Sequence, residues 1–128
     1  MGRMLIISTD NQIYESLENF SKEFGCDFSI YNRSNDPLDI ISEVLSKNSN
    51  IVILDDDFIA PNSTRLLENI RKVNPKLSVI FITSDLSIEL GRAINSIGVK
   101  YYLIKPIDSM NLREFINSVR TQNQNLIF

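Results

Sequence analysis

The chain contains no histidine and no tryptophan, and a single cysteine among 128 residues. Without histidine, Ser-His-Asp and Cys-His nucleophilic sites are excluded, as are histidine metal sites and a histidine general base. Cys26 cannot form an internal disulfide, and an unpaired thiol fits a reducing compartment, so a cytoplasmic location is expected. Glycine is scarce, four residues in all. The stretch Ser8-Thr9-Asp10-Asn11 therefore lacks the glycines of a tight phosphate loop, and no Trp is available for stacking, which argues against a flavin nucleotide site. No stretch concentrates positive charge, and the formal net charge is −3, so direct nucleic-acid binding is not expected. No apolar run approaches the roughly 18 residues of a membrane helix. The N-terminal apolar stretch is too short for a signal-peptide core, and Ile6 stands where myristoylation needs Ser or Thr.

What is present is a regular alternation of strand and helix. A length of 128 residues suits one domain with one core. Met4-Leu5-Ile6-Ile7, Ile51-Val52-Ile53-Leu54, Val79-Ile80-Phe81-Ile82 and Tyr101-Tyr102-Leu103-Ile104 are short runs rich in β-branched and aromatic residues. Such runs predict strands buried on both faces. Phe28 and Ile30 alternate in a further short strand. Between the strands, helical spacing recurs. Ile13, Leu17, Phe20 and Phe24 predict a helix stopped by Gly25. Asp36-Pro37 predicts the cap of another, with Leu38, Ile41, Val44 and Leu45 on one face. Leu66, Leu67, Ile70 and Val73 predict a third, from Ser63 to Val73. A fourth, from Leu86, is closed by Gly98. Leu112, Phe115, Ile116 and Val119 predict a last helix from about Ser109. The polar stretch from Thr121 to Asn125 predicts fraying, which places the domain at 1–121 and a polar tail or linker start at 122–128. The whole is an α/β (βα)5 domain, a doubly wound parallel sheet of order 2-1-3-4-5.

In such a sheet the functional site lies beyond the carboxyl ends of the strands. There the apolar runs end in Ser8-Thr9-Asp10, in Asp55-Asp56-Asp57, in Thr83-Ser84 and in Lys105-Pro106. A carboxylate, a hydroxyl and an ammonium at one end suit the handling of phosphate.

The spacings resemble those of the receiver domain of two-component response regulators, a flavodoxin-like fold, from Met4 to about Arg120. Ile70-Arg71 follows Asp55 by fifteen residues, Gly98 follows Thr83 by fifteen, Lys105 follows Gly98 by seven, and Tyr102 stands three before Lys105. The resemblance implies that Asp55 accepts a phosphoryl group from a histidine kinase or phosphotransfer protein, with Lys105 and Thr83 serving its oxygens. It implies that Tyr102 is a switch residue, that the Lys105-Pro106 peptide is cis, and that the domain is a signalling module rather than an enzyme. It also implies an output domain or partner protein. A homodimer is implied through the fourth helix, fifth strand and fifth helix of the predicted series.

Three departures qualify the resemblance. Ser8 and Thr9 stand at the positions of two acids that hold Mg2+ in such receivers. Pro61 comes two residues late relative to Asp55. The glycine usual before the third helix is missing. Asp57 restores the proline spacing but spoils the strand length and the Ile-Arg spacing, so Asp55 is the expected acceptor. With Asp55 and Lys105 alone the site charge sums to zero. Mg2+ is then expected to bind weakly, through Asp55 with Asp57 and Asp10 as further candidate ligands. A phosphorylation-independent pseudo-receiver is the alternative. An Asp-nucleophile phosphatase, suggested by Asp55-x-Asp57, is the distant one, because its motif normally opens the fold.

Overall fold

A computed structural model describes residues 3–125, with side chains through residue 121. Five parallel strands form one sheet: β1 (Arg3–Ile7), β2 (Asp27–Tyr31), β3 (Ile51–Asp55), β4 (Ser78–Thr83) and β5 (Tyr101–Ile104). Their spatial order is β2-β1-β3-β4-β5, as the sequence predicts. Six helices connect and cover them: α1 (Asn11–Phe24), α2 (Pro37–Lys47), α3 (Asp56–Ile59), α4 (Ser63–Val73), α5 (Ile88–Ile97) and α6 (Ser109–Asn125).

Strands β3 and β4 are buried at every position, the outcome of running through the middle of a sheet covered on both faces. Alternate side chains feed two cores. Leu5, Ile7, Val52, Leu54, Val79 and Phe81 pack under α2, α4 and α5. Met4, Ile6, Ile51, Ile53, Ile80 and Ile82 pack under α1 and α6. Each fully buried aliphatic side chain contributes roughly 1.5–3 kcal/mol.

The caps follow their local chemistry. Asp10 accepts from the Gln12 N–H to start α1, and Asp36 accepts from the Leu38 N–H to start α2. Gly25 closes α1 at φ 65°, a left-handed conformation that favours glycine. Arg71 ties α4 to its neighbours: its Nε and Nη2 donate to the Gly98 carbonyl at 3.0 and 2.9 Å, and its Nη1 donates to that of Leu77.

Several expectations need correction. The short helix α3 is not among the predicted helices; it forms because the chain turns helical directly after Asp55. On α2 the buried face carries Ile40 and Val44, while Leu38 and Leu45 are exposed; the helix sits on the sheet rotated by one residue. In β2 it is Tyr31 that is buried and Ile30 that is exposed, since edge position leaves one face half covered. Leu86 lies outside α5, which starts after its cap Ser87. Helix α6 continues to Asn125 instead of fraying at Thr121. The rest of the expected tail, 126–128, lies outside the described residues.

Candidate functional site

Asp55 closes β3 at the carboxyl end of the sheet and is 1% exposed. Its carboxylate takes four contacts from three donors. Ser8 Oγ donates to Oδ2 at 2.6 Å, and the Asp57 N–H donates to Oδ1 at 3.1 Å. Lys105 Nζ lies 3.0 Å from Oδ1 and 3.1 Å from Oδ2. The ammonium reaches this position because β5 ends at Ile104, with the Lys105 N–H bonded to the Thr83 carbonyl. The Lys105-Pro106 peptide that follows is cis, as is Ala60-Pro61.

Lys105 holds more than one carboxylate. Asp10 Oδ2 and Asp57 Oδ2 each lie 3.0 Å from Nζ. Three carboxylates therefore surround one ammonium, for a net charge of −2. The zero sum expected from Asp55 and Lys105 alone is corrected. Asp10 supplies charge that Ser8 and Thr9 lack, and it does so while its other oxygen caps α1. Burial raises the Asp10 carboxyl, but Lys105 and the Gln12 N–H outweigh it and hold the group below its ordinary range. At Asp57 burial is likewise outweighed, by the Ser84 hydroxyl and Lys105. Burial pulls the Lys105 ammonium down, and the three carboxylates more than offset it, raising it well above the ordinary lysine value.

The hydroxyl expected at this centre is turned elsewhere. Thr83 Oγ1 donates to Asp56 Oδ2 at 2.7 Å, not to Asp55. Asp56 is 6% exposed and accepts from Ser63 Oγ on its other oxygen. The lysine half and the threonine half of the site are thus divided between adjacent carboxylates. An extended strand past Asp55 would put Asp56 on the face away from Asp55 and Asp57, and the turn into α3 at Asp56 replaces that extension. The late Pro61 was the available signal, since it marks a rearranged connection after β3. Thr9 is exposed, and Ser8 is buried with its hydroxyl proton directed at Asp55. Tyr102 stacks on Phe81 with ring centroids 5.4 Å apart, its hydroxyl buried.

Lys105 fills the centre of the three carboxylates, with oxygens 3.0 Å from its nitrogen, and an Mg2+ ion, which takes oxygen ligands at about 2.0–2.1 Å, would have to displace that ammonium. Among the described residues no group of three or more His, Cys, Asp or Glu is arranged to hold a metal ion.

The family model described as the response regulator receiver domain matches residues 4–117. The chain belongs to that family. It is therefore a receiver domain of two-component signalling, a signalling module by family. Solved structures agree on the fold. A CheY-like receiver domain protein from Methanospirillum hungatei is 22% identical, with TM-score 0.80 and 98% of each chain covered. A receiver domain protein from Clostridium thermocellum is 21% identical, with TM-score 0.77, covering 98% of this chain and 99% of that one. A DNA-binding response regulator of the LuxR family from Staphylococcus aureus is 21% identical, with TM-score 0.76, covering 93% and 98%. No match was found among curated proteins. Among the described residues no helix is long and apolar enough to cross a membrane.

Proposed function

We propose that this receiver accepts a phosphoryl group on Asp55 from a phosphohistidine of a histidine kinase or phosphotransfer protein, and does so slowly. The observation that carries the reading is the buried Asp55 carboxylate with the Lys105 ammonium on both its oxygens. A carboxylate oxygen attacks phosphorus while the P–N bond breaks. The electron pair returns to the imidazole of the donor, which takes up a proton. Lys105 is the cation that faces the transferring oxygens, and to do so it gives up part of its hold on Asp10 or Asp57. Mg2+ binds weakly, because it competes with that ammonium and finds neutral oxygens at Ser8 and Thr9. The low rate follows, since phosphoryl transfer depends on electrostatic stabilisation of these oxygens.

The partners are a kinase or phosphotransfer protein and an output domain or partner protein, in the cytoplasm. A homodimer through α5, β5 and α6 is consistent with the exposed Ile88 and Ile104. A phosphorylation-independent interaction module is the second reading, favoured by the commitment of the Thr83 hydroxyl to Asp56.

Intact mass after exposure to acetyl phosphate, with and without Mg2+, tests the first reading. Slow addition of one phosphoryl group is expected, abolished in Asp55→Asn and retained in Asp56→Asn and Asp57→Asn. Labelling that survives Asp55→Asn overturns the assignment. Labelling absent in the parent but present after Ser8→Asp with Thr9→Asp transfers the case to the interaction module.

A further inference from the structure

Asp56 is a buried carboxylate that the phosphoacceptor chemistry does not use. Strand β3 ends at Asp55 and α3 begins at Asp56, so successive side chains do not simply alternate across a sheet. Asp55 faces Lys105, and Asp56 is carried to the gap between the end of β4 and the start of α4. There its two oxygens take the hydroxyls of Thr83 and Ser63. Among the described residues no cation pairs with it; the ion pairs of the site all converge on Lys105. A buried carboxylate without a cation is held by its hydrogen bonds alone.

The consequence falls on Thr83. Its hydroxyl has one proton, and that proton is spent on Asp56. Its oxygen accepts from the Asp85 N–H at 2.9 Å. The Asp85 carboxylate in turn accepts from the N–H of Ser87, the cap of α5. A continuous chain of hydrogen bonds therefore runs from Asp56 through Thr83 and the β4–α5 connection to the first turn of α5. Tyr102 stands on the neighbouring strand β5, paired with Phe81 of β4. The ring rests on Phe81, its hydroxyl is buried without a partner, and the surface of Gly91 in α5 faces it, where a Cβ would come to 3.9 Å. Burial first, and then the charges of Asp56 and Asp85, disfavour ionisation of this phenol.

We propose that Asp56 is a positioning residue: a built-in acceptor that holds Thr83, and through it the β4–α5 connection and the inward Tyr102, in one arrangement whatever the state of Asp55. The face formed by α5 and β5 is then set by an internal carboxylate and is largely uncoupled from chemistry at the neighbouring one. The contrast with Asp55 rests on the phosphoacceptor reading; the hold of Asp56 on Thr83 and Tyr102 does not.

The test is the NMR spectrum of the full chain, followed at the Tyr102 ring and the α5 amides, alongside intact mass. In the unmodified protein, Asp56→Ala should shift both sets of signals, and Asp56→Asn, which keeps an oxygen for Thr83, should restore most of the parent spectrum. Thr83→Val breaks the same bond from the other side and should move Tyr102 in the same direction, which covers the case of a poorly folded Asp56 variant. On treatment with acetyl phosphate, the Tyr102 shift should be several-fold smaller in the parent than in Asp56→Ala at equal mass gain. Parent-like Tyr102 signals in both Asp56→Ala and Thr83→Val overturn the proposal. So does a phosphorylation shift in the parent as large as in Asp56→Ala. No mass gain in any variant defeats the phosphoacceptor reading alone, and the unmodified spectra still decide this one.

Discussion

Asp55 and Lys105 are fifty residues apart in the chain, and the ammonium nitrogen lies 3.0 Å from Oδ1 and 3.1 Å from Oδ2 of the carboxylate. The two strands that bring them together are not neighbours; β4 lies between. The lysine side chain crosses its carboxyl end, and on the way it collects Asp10 and Asp57. Three consequences can be measured.

Removing the ammonium leaves three carboxylates facing one another. Lys105→Met should destabilise the fold at neutral pH by about 1–3 kcal/mol, the range for stranding partly buried charges and losing charged hydrogen bonds. The loss should shrink on acidification, as the carboxylates take up protons. Urea unfolding at neutral and acidic pH checks both parts, and an equal loss at the two values would show that the methionine packs badly for other reasons. The double variant with Asp55→Asn should recover part of the loss.

The cluster also fixes the sign of the pH dependence. Asp10 and Asp57 are held below the ordinary carboxyl value of 3.8. Their contribution is present above that value and is lost as pH falls through the lower folded values. Lys105 is raised above 10.5, so its contribution is present below 10.5 and is lost as pH rises through the higher folded value. Between these limits the contribution is flat. Asp10→Asn should flatten the acid arm of a thermal-stability profile, by less than about 1 kcal/mol because the group is partly solvated. A steeper acid arm in the variant contradicts the pairing.

Mg2+ should bind in or above the millimolar range, roughly that of sites with few available ligand charges. Titration followed by NMR measures it. Thr9→Asp should tighten binding by adding a carboxylate at an exposed position beside the cluster. Micromolar affinity in the parent would mean that Asp10 and Asp57 abandon Lys105 for the ion.

Far from the site, Arg71 satisfies the carbonyls of Gly98 and Leu77. Arg71→Ala should cost about 1–3 kcal/mol, because partly buried carbonyls lose their donors. Arg71→Lys should recover little, since one ammonium does not reproduce the planar fork. Denaturant midpoints at constant m-value decide it.

The late Pro61 shows where legibility in the sequence ended. Relative to Asp55 it comes two residues late, and α3 occupies that displaced connection. Strand-end chemistry at Asp55 and Lys105 was readable, because a parallel sheet delivers every strand terminus to the same edge. Asp10 was an open candidate, and its approach to Lys105 depends on a capping side chain that uses one oxygen for the Gln12 N–H and leaves the other free. Asp56 was not readable, because its direction depends on whether the chain stays extended or turns helical at one peptide. The rotation of α2, with Ile40 and Val44 inward and Leu38 outward, was hidden for a similar reason: apolar residues on both sides of the helix fit either phase.

The sequence by itself determined the element order, the parallel sheet, the receiver family and the carboxylate at the end of β3. Periodicity, chain crossover and residue spacing are properties of a chain read in order, and they tolerate shifts of an ångström or two. Tertiary structure alone decided that Lys105 is shared among three carboxylates and that Thr83 serves Asp56. Hydrogen bonds and ion pairs are chosen by direction and by distances near 3 Å, and those are set only when the backbone between β3 and α4 has taken its turn.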